Sequence, residues 1–408
     1  MALLTRRRVA LLAASGAFLG SLRFGEHRLA RQPSQDGPYA DPTAELLARC
    51  WKGLDPTRVL DVHTHLVGLG TGGSGCEVSE RARSKTNPGE YLKFSIYLEA
   101  AGITDDSRAD QQYVERLVQL MSAQQPHGRL LLMAFDRAYD DAGQVLPGAT
   151  EFFTPNDWAL GVAKAHPEHF AVCGSVHPYR PDALTELERV VAAGAVAIKW
   201  LPNAMNIDPS SPRCDAFYDA LVRLKVPLIC HAGEEKAVHA EERQRLGNPL
   251  HLRRPLSRGV TVVMAHCASL GQNPDLDATS QPWVDNFDLF WRMFQEPQWN
   301  GLLYGETAAM ALVNRLGRPM QTLLEHPELH HRLVNGSDYP LPAINVLMQT
   351  RAMVEKGFIT EAERTALNEL DRHDPLLFDF AVKRTLAWKG QRFADEVFMP
   401  QRAFPRLG

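Results

Sequence analysis

The stretch Val59-Leu60-Asp61-Val62-His63-Thr64-His65 joins an apolar, strand-like run to two histidines one residue apart. In a β-strand, residues i and i+2 point to the same face, so His63 and His65 can direct both imidazoles at one point. This is how a metal ion is held from the end of a strand. Taken alone the motif is weak, because the chain has 15 histidines among 408 residues and a His-x-His arises by chance. The interpretation therefore depends on the rest of the chain.

Three further short apolar runs end in a residue that can bind a metal ion. The runs 227–231 and 261–266 end in His231 and His266, and a third run delivers Asp338 just before a Tyr-Pro turn. Between them lies the apolar run 195–200, which carries Lys199. A lysine in such a run needs a partner, because burial of an unpaired ammonium is costly. These residues are therefore candidates for one shared site.

Eight apolar segments of strand length alternate with helix-like segments along the chain. Strands that are apolar on both faces and alternate with helices indicate a parallel sheet. Eight such units over about 300 residues predict an α/β fold of the (β/α)8 TIM-barrel class, whose catalytic groups project from the C-terminal strand ends. Each candidate ligand lies at or just beyond such an end. The predicted strands are 59–63, 130–135, 170–176, 195–199, 227–231, 261–265, 301–304 and 332–335.

Two segments lie outside this regular alternation. Residues 66–125 form a long insertion after strand 1, and its glycine-rich opening, 68–75, lacks the Lys-Ser/Thr of a P-loop. We interpret that opening as a mobile lid or crossing loop. Residues 341–408 form a C-terminal extension with helix-like patterns at 344–356 and 360–370.

The order of the candidate residues resembles the pattern of the amidohydrolase superfamily, over about 59–340. That family has His-x-His after strand 1, a lysine after strand 4 in some branches, histidines after strands 5 and 6, and an aspartate after strand 8. The flanking sequence looks most like the amidohydrolase-related branch, which also contains lactonases and nonoxidative decarboxylases. The matching positions here are His63, His65, Lys199, His231, His266 and Asp338.

The resemblance implies that His63, His65, His231 and Asp338 hold Zn2+ or another divalent ion. Neutral imidazole and carboxylate suit zinc, and the ion makes water a nucleophile near neutral pH. By analogy with the family, Asp338 takes the proton of the attacking water and passes it to the leaving group. His266 has two interpretations: ligand of a second metal ion, or hydrogen-bond donor that polarises the substrate carbonyl.

Lys199 decides between one and two metal ions. As a carbamate it would bridge two ions, and as an ammonium it would bind a substrate carboxylate beside a single ion. We favour the single ion because the flanking sequence resembles that branch, and the binuclear alternative stays open. A structural ion pair is the third reading of this lysine.

The loops beyond the strands must supply substrate recognition. By position we predict that Lys199 and four loop residues contact the substrate. The four are Arg180, Trp200, Asn203 and Tyr339. His177 and Glu306 also follow strands, and for each a structural role is an equal alternative.

These features predict a metal-dependent hydrolase that acts on an amide or lactone/ester bond of a small molecule. The alternative on the same scaffold is a nonoxidative decarboxylase of an unsaturated or aromatic carboxylic acid. A third hypothesis, from another class, is a barrel that binds a metal or ligand without turnover.

The N-terminus carries a basic segment and then an apolar one. Arg6-Arg7-Arg8 precedes the apolar run 9–22, and no acidic residue appears before Glu26. This is typical of an export signal and shorter than a membrane span, and Thr5-Arg6-Arg7 resembles a twin-arginine signal. We predict an export signal or short anchor over 1–25, a linker over 26–50 and the catalytic domain over 51–408. The protein would be periplasmic or exported, with a membrane tether if the signal is retained; a mitochondrial-type presequence is the alternative.

Composition sets the remaining bounds. An apolar content of 45% with 23% charged residues is ordinary for a globular protein. The net charge of -4 does not indicate binding of nucleic acid, which requires an excess of positive charge. The six cysteines are spaced too irregularly to predict a disulfide scaffold. A small-molecule substrate is the predicted partner, and a homo-oligomer stays open.

Overall fold

The computed structural model describes residues 38–146 and 148–407. Eight strands form one sheet in which every neighbouring pair is parallel, and their order in the sheet follows the chain. The predicted (β/α)8 barrel is therefore confirmed. The strands are β1 (Leu60–His65), β2 (Arg129–Met133), β3 (Phe170–Gly174), β4 (Ala195–Trp200), β5 (Leu228–His231), β6 (Val262–Ala265), β7 (Leu303–Glu306) and β8 (Leu333–Val334).

Backbone hydrogen bonds close the barrel between its last strand and its first. The Val62 amide donates to the Asn335 carbonyl at 2.9 Å, and the Asp338 amide donates to the His63 carbonyl at 2.8 Å. Because these bonds align the segment after β8 with β1, they bring Asp338 beside the His-x-His motif.

Helices cover the outside of the barrel. They are α1 (Asp41–Trp51), α2 (Glu80–Arg83), α3 (Pro88–Ala100), α4 (Ala109–Ala123), α5 (Asn156–Ala165), α6 (Ala183–Ala192), α7 (Pro202–Met205), α8 (Asp215–Leu224), α9 (Arg253–Ser257), α10 (Asn286–Gln295), α11 (Arg318–Glu325), α12 (Thr350–Glu355), α13 (Glu361–His373) and α14 (Pro375–Thr385). In α6 the buried residues Ala183, Leu187 and Val190 recur every three to four positions. This spacing forms one apolar stripe that packs on the sheet.

Strand β7 differs from its predicted bounds of 301–304. Gly301 has a φ of +78°, in the left-handed region, so the chain is still turning at this residue. Pairing with β6 begins at Leu303, and pairing with β8 extends to Glu306. Glu306 is therefore the last residue of the strand and not part of the loop beyond it.

The prediction of a linker over 26–50 is wrong for its last ten residues. Residues 41–50 belong to α1, whose buried Thr43, Leu46 and Cys50 lie on one face of the helix. Thr43 also contacts the carboxylate of Glu369 in α13. The Pro- and Asp-containing composition that suggested a linker reflects the start of the helix, where Pro42 is tolerated.

The predicted export segment over 1–25 lies outside the described residues. Among the residues that the structure describes, we find no helix with the length and apolar composition that a membrane crossing requires. The six cysteines are free, buried thiols, in agreement with the prediction that they form no disulfide scaffold.

The glycine-rich stretch 68–75 wraps around a carboxylate of its own chain. Asp110, in the first turn of α4, accepts hydrogen bonds from the Leu69 amide at 2.6 Å and the Gly70 amide at 3.1 Å. A Cβ atom at position 68 would lie 2.2 Å from an Asp110 oxygen, so glycine is needed there. The amides of Leu69 and Gly70 are therefore bound by Asp110 and not free for a phosphate. The stretch is anchored to α4 through Asp110, and whether it acts as a lid or as a crossing loop stays a prediction.

Candidate metal centre

The side chains of His63, His266 and Asp338 converge at the C-terminal mouth of the barrel. Their ligand atoms all lie within 4.8 Å of one another, and all three residues are buried. The His63 Nε2 atom is 3.4 Å from Asp338 Oδ1, and His65 Nε2 is 2.7 Å from the same oxygen. Two donors that each lie ~2.1 Å from one tetrahedral ion are about 3.4 Å apart. The spacing of His63 and Asp338 therefore suits a shared cation, whereas the 2.7 Å contact between His65 and Asp338 is a hydrogen bond.

His231 supplies an independent sign of a cation. Its Nε2 atom is buried and has no hydrogen-bond partner among the described residues, and the nearest carboxylate oxygen, Oε2 of Glu235, is 3.6 Å away. The His231 ring lies 5.3 Å from the ring of His266. A buried imidazole nitrogen without a partner is costly unless an ion or ligand binds it. The donor set at this mouth therefore fits a divalent ion that prefers nitrogen and oxygen.

The electrostatics place the donors in the protonation states that metal binding needs. Burial opposes ionisation of Asp338, but the charges of His63 and His266 and a hydrogen bond from His65 hold its pKa well below the usual range. Burial lowers the pKa of His65, and it lowers the pKa of His231 and His266 well below the usual range. These directions favour an ionised aspartate and neutral imidazoles, which are the forms that bind a metal ion.

Glu306 orients two of these histidines at once. Its side chain is fully buried, with Oε1 accepting a hydrogen bond from His63 Nδ1 at 2.8 Å and Oε2 accepting one from the His266 amide at 2.9 Å. A carboxylate accepts only, so His63 carries its proton on Nδ1 and turns the Nε2 lone pair toward the cluster. A Cβ atom at Gly336 would lie 2.2 Å from Glu306 Oε1, so that glycine keeps room for the contact.

The backbone at two of the candidate ligands is strained. His266, Cys267 and Ala268 have φ values of +56°, +47° and +49°, and Asp338 has a φ of +64°. Residues other than glycine adopt this left-handed region at a cost of about 1–3 kcal/mol each, and such strain concentrates at functional sites. Here it directs the two side chains into the cluster.

Lys199 lies directly beside the cluster. It is 1% exposed, and its Nζ atom is 3.4 Å from His63 Nε2. In the part of the chain that the structure describes, no carboxylate oxygen lies within 4.0 Å of Nζ. A structural ion pair therefore does not explain this buried lysine, while the carbamate and the free ammonium both stay open.

Two of the other predicted substrate-binding residues, Arg180 and Asn203, have polar groups that already bind other residues of the protein. Arg180 pairs with Asp136 at 3.0 Å and with Asp182 at 2.7 Å. The amide of Asn203 donates to Gln244 Oε1 at 3.0 Å and so braces the loop after β5. The guanidinium and the amide nitrogen already have these partners in the protein.

Trp200 and Tyr339 are core residues. The Trp200 indole is fully buried, donates to the Val176 carbonyl at 2.9 Å and packs on Phe217 of α8. Successive residues of a strand point to opposite faces, so Trp200 faces the helices because Lys199 faces the barrel interior. The fully buried ring of Tyr339 packs against Tyr113, 6.1 Å away between centroids.

His177 has a structural role. Its Nε2 atom donates to the Met205 carbonyl at 2.9 Å, and Nδ1 accepts from the Tyr179 amide at 3.1 Å, so both ring nitrogens are satisfied in the neutral form. Burial lowers the pKa of His177 to about 3. The usual pKa of histidine is ~6.5.

This difference in pKa predicts a loss of stability in acid. As the pH falls below ~6.5 the unfolded chain binds a proton at residue 177 and the folded chain does not, so the free energy of unfolding drops by up to about 1.4 kcal/mol per pH unit. We expect thermal unfolding of the chelator-treated protein between pH 7.5 and 5.5 to show this fall, and His177→Gln to reduce it by ~1 kcal/mol. Equal pH slopes for the two proteins would contradict the assignment.

Comparisons with known proteins identify a family and several similar solved structures. The model of the amidohydrolase family matches residues 60–367. A search of curated proteins found no match. Similar solved structures include a probable 2-pyrone-4,6-dicarboxylic acid hydrolase from Acinetobacter baumannii, at 14% identity and a TM-score of 0.43, with 79% of this chain and 97% of that chain covered.

Two further solved structures are similar to this chain at the same level. A 4-oxalomesaconate hydratase from Rhodopseudomonas palustris has 14% identity and a TM-score of 0.43, with 86% of this chain and 96% of that chain covered. A 2,6-dihydroxybenzoate decarboxylase from Rhizobium has 14% identity and a TM-score of 0.42, with 79% and 98% covered. The family match spans all eight barrel strands and every residue of the histidine and aspartate cluster, and the chain belongs to the amidohydrolase family.

Proposed function

We propose that the protein is a metal-dependent hydrolase that directs an activated water at an amide or lactone/ester bond of a small molecule. Amidohydrolases bind divalent metal ions, and this chain presents a buried cluster that suits one. The observation that carries the proposal is the convergence of His63, His266 and Asp338 beside the unpartnered Nε2 of His231. Zinc is the ion we propose, because imidazole nitrogen and carboxylate oxygen are its preferred donors together with thiolate.

In this proposal His63, His65, His231 and Asp338 hold the ion. A divalent ion there supplies Lewis acidity and brings the pKa of water toward 7. Asp338 stays ionised at neutral pH for the reasons given above, and its Oδ1 already contacts His65. Its second oxygen, Oδ2, is 4.0 Å from His266 Nε2, which is too far for a hydrogen bond. We assign Oδ2 to take the proton of the attacking water and return it to the leaving group.

The hydrogen bonding of His266 bears on its two interpretations. Its Nδ1 atom lies 3.0 Å from the Ala308 carbonyl, which can only accept, so the proton is on Nδ1 and Nε2 carries a lone pair. Burial disfavours a second proton on the ring. Neutral His266 is therefore better suited to bind a cation or accept a proton than to donate to a substrate carbonyl.

Nonoxidative decarboxylation is the second candidate, and Lys199 is the observation that favours it. A buried ammonium without a carboxylate partner, 3.4 Å from His63 Nε2, offers a site for a substrate carboxylate next to the ion. The chemistry would then release carbon dioxide in place of a hydrolysis product.

One experiment separates these hypotheses. The protein, prepared with and without zinc, is incubated in isotopically labelled water with lactones, esters, amides and unsaturated carboxylic acids. Hydrolysis places the label in a product carboxyl group, and we expect this only in the zinc-loaded protein. Release of carbon dioxide would establish the decarboxylase instead. Absence of turnover with zinc, manganese or cobalt would favour the barrel that binds without catalysis.

Lys199→Met tests the number of ions, because methionine keeps the length of the side chain and removes its charge. For the single-ion site, we expect unchanged metal content and a KM raised ~10-fold, since lost ground-state binding appears in KM. Metal analysis and steady-state kinetics provide the measurement. A fall from two equivalents of metal to one, with partial rescue by short carboxylates, would instead show a carbamate bridge. If neither quantity changes, Lys199 does not belong to the site.

A further inference from the structure

Lys383 is a fully buried cation that the sequence patterns did not single out. It lies in α14, where its Nζ atom donates to Asp379 Oδ2 at 2.7 Å, one turn earlier in the same helix. Lys383 is 0% exposed and Asp379 is 2% exposed. Both residues lie beyond residue 367, where the match to the amidohydrolase family ends, so the family pattern assigns neither of them a role.

Stability alone does not explain this buried pair. Replacement of a buried ion pair by apolar residues of similar volume is often neutral or stabilising, because each charge loses its hydration on burial. The ammonium of Lys383 has a second partner that α14 does not supply. Its Nζ atom donates to the backbone carbonyl of Gly336, which follows β8 and precedes Asp338 by two residues. Asp379 therefore neutralises a cation whose other contact lies beside a candidate metal ligand.

Gly336 lies against two residues of the candidate metal centre. A Cβ atom at this position would lie 2.2 Å from Glu306 Oε1 and 2.7 Å from the Cβ atom of His63. A shift of the Gly336 backbone would therefore disturb the hydrogen bond by which Glu306 orients His63. Because Lys383 binds the carbonyl of Gly336, it opposes such a shift.

The two residues after Gly336 are held by β1. The Ser337 amide donates to Asp61 Oδ1 at 2.9 Å, and the Asp338 amide donates to the His63 carbonyl at 2.8 Å. Asp338 has a φ of +64°, and a strained conformation of this kind persists only where the surrounding structure holds it. The contact from α14 completes this support at the residue that begins the segment.

We propose that Lys383 and Asp379 are positioning residues of the metal centre. The ammonium holds the Gly336 carbonyl, so that Asp338 keeps the orientation in which it binds the ion. This inference rests on the metal centre of the proposed function. Groups that act on a metal ion through its ligands typically change metal affinity by about 10–100-fold. The C-terminal extension is then part of the site as well as part of the packing around the last strand.

The test is the zinc affinity of a variant in which Lys383→Met and Asp379→Leu are combined. Methionine is nearly as long as lysine, and leucine has the branched shape of aspartate, so the barrel should still fold. Competition with a chelator of known affinity measures the binding of zinc. Co2+ is the second probe, because its visible absorption depends on the geometry of its ligands. We expect the variant to bind zinc ~10-fold or more weakly, and the absorption of bound Co2+ to change.

Arg384→Met is the matched control. Arg384 follows Lys383 in α14 and has the same two kinds of partner, the Cys50 carbonyl at 2.7 Å and Asp395 Oδ1 at 2.7 Å. Its contact with Cys50 joins α14 to α1 and not to the segment after β8. The unfolding temperature of the zinc-free Arg384→Met protein should therefore fall, while its zinc affinity and its Co2+ absorption stay unchanged.

Two results would overturn the proposal. One is a combined variant with the zinc affinity and Co2+ absorption of the unmodified protein. The other is a loss of zinc affinity in Arg384→Met as large as that in the combined variant, since the effect would then reflect stability alone. If the combined variant does not fold, Lys383→Met alone is compared with Arg384→Met in the same way.

These measurements separate the positioning role from the hydrolase assignment, because metal binding requires no turnover. An unchanged zinc affinity in the combined variant would contradict the role of Lys383 and leave the hydrolase assignment intact. The expected loss of affinity in a protein that hydrolyses no substrate would support the positioning role and contradict the hydrolase.

Discussion

Asp338→Asn is expected to lower kcat by ~10²-fold or more while the fold and most of the metal are retained. Asparagine preserves the shape and one oxygen donor, but its amide cannot take a proton from water at neutral pH. It also tolerates the left-handed backbone of this position, where φ is +64°, better than most residues. The loss would therefore report on proton transfer and not on backbone strain.

The measurement combines steady-state kinetics, metal analysis and thermal unfolding on the same preparation. Asp182→Asn is a suitable control, because this exposed carboxylate pairs with Arg180 at the barrel mouth outside the cluster. Its kcat should stay within about twofold of the original. A kcat for Asp338→Asn close to that of the unmodified protein would remove Asp338 from the mechanism.

His63→Ala combined with His65→Ala is expected to strip the metal. The unmodified protein should carry about one to two equivalents of zinc, and the double variant less than ~0.1. Both imidazoles come from β1 and lie next to Asp338 Oδ1, so their removal leaves too few donors for tight binding. Added zinc should raise the unfolding temperature of the unmodified protein but not of the variant, because only the former binds zinc in its folded state.

Exposed histidines provide the control for that experiment. His326 and His331 lie near the surface and precede β8, whereas Asp338 follows that strand at the opposite end, so their double replacement by alanine should leave the metal content unchanged. Full metal content in the His63 and His65 variant would refute the assignment of the site.

The barrel could be predicted from sequence because its strands are apolar on both faces and five of the eight are followed by a candidate ligand. The eight segments were found in the expected order, and β7 differed only because Gly301 still belongs to a turn. The composition of residues 41–51 does not indicate the helix there, although Leu46 and Cys50 show helical spacing.

The site was harder to predict than the barrel, because contacts between residues on different strands determine which side chains belong to it. The alternation of strand residues could have excluded Trp200 once Lys199 was placed inside the barrel. No pattern indicated that Glu306 would join His63 to the His266 backbone, since that contact links three different strands.

The left-handed turn at His266, Cys267 and Ala268 makes the metal centre preorganised. The energy of holding three successive residues in this conformation is supplied when the barrel folds, before any ion arrives. An incoming ion then meets donors that need little rearrangement, so less of its binding energy is lost to ordering the chain. Glycine at position 268 would lower the backbone strain of the turn and allow the donors more movement. The affinity for the ion would then fall, because the site would be less preorganised.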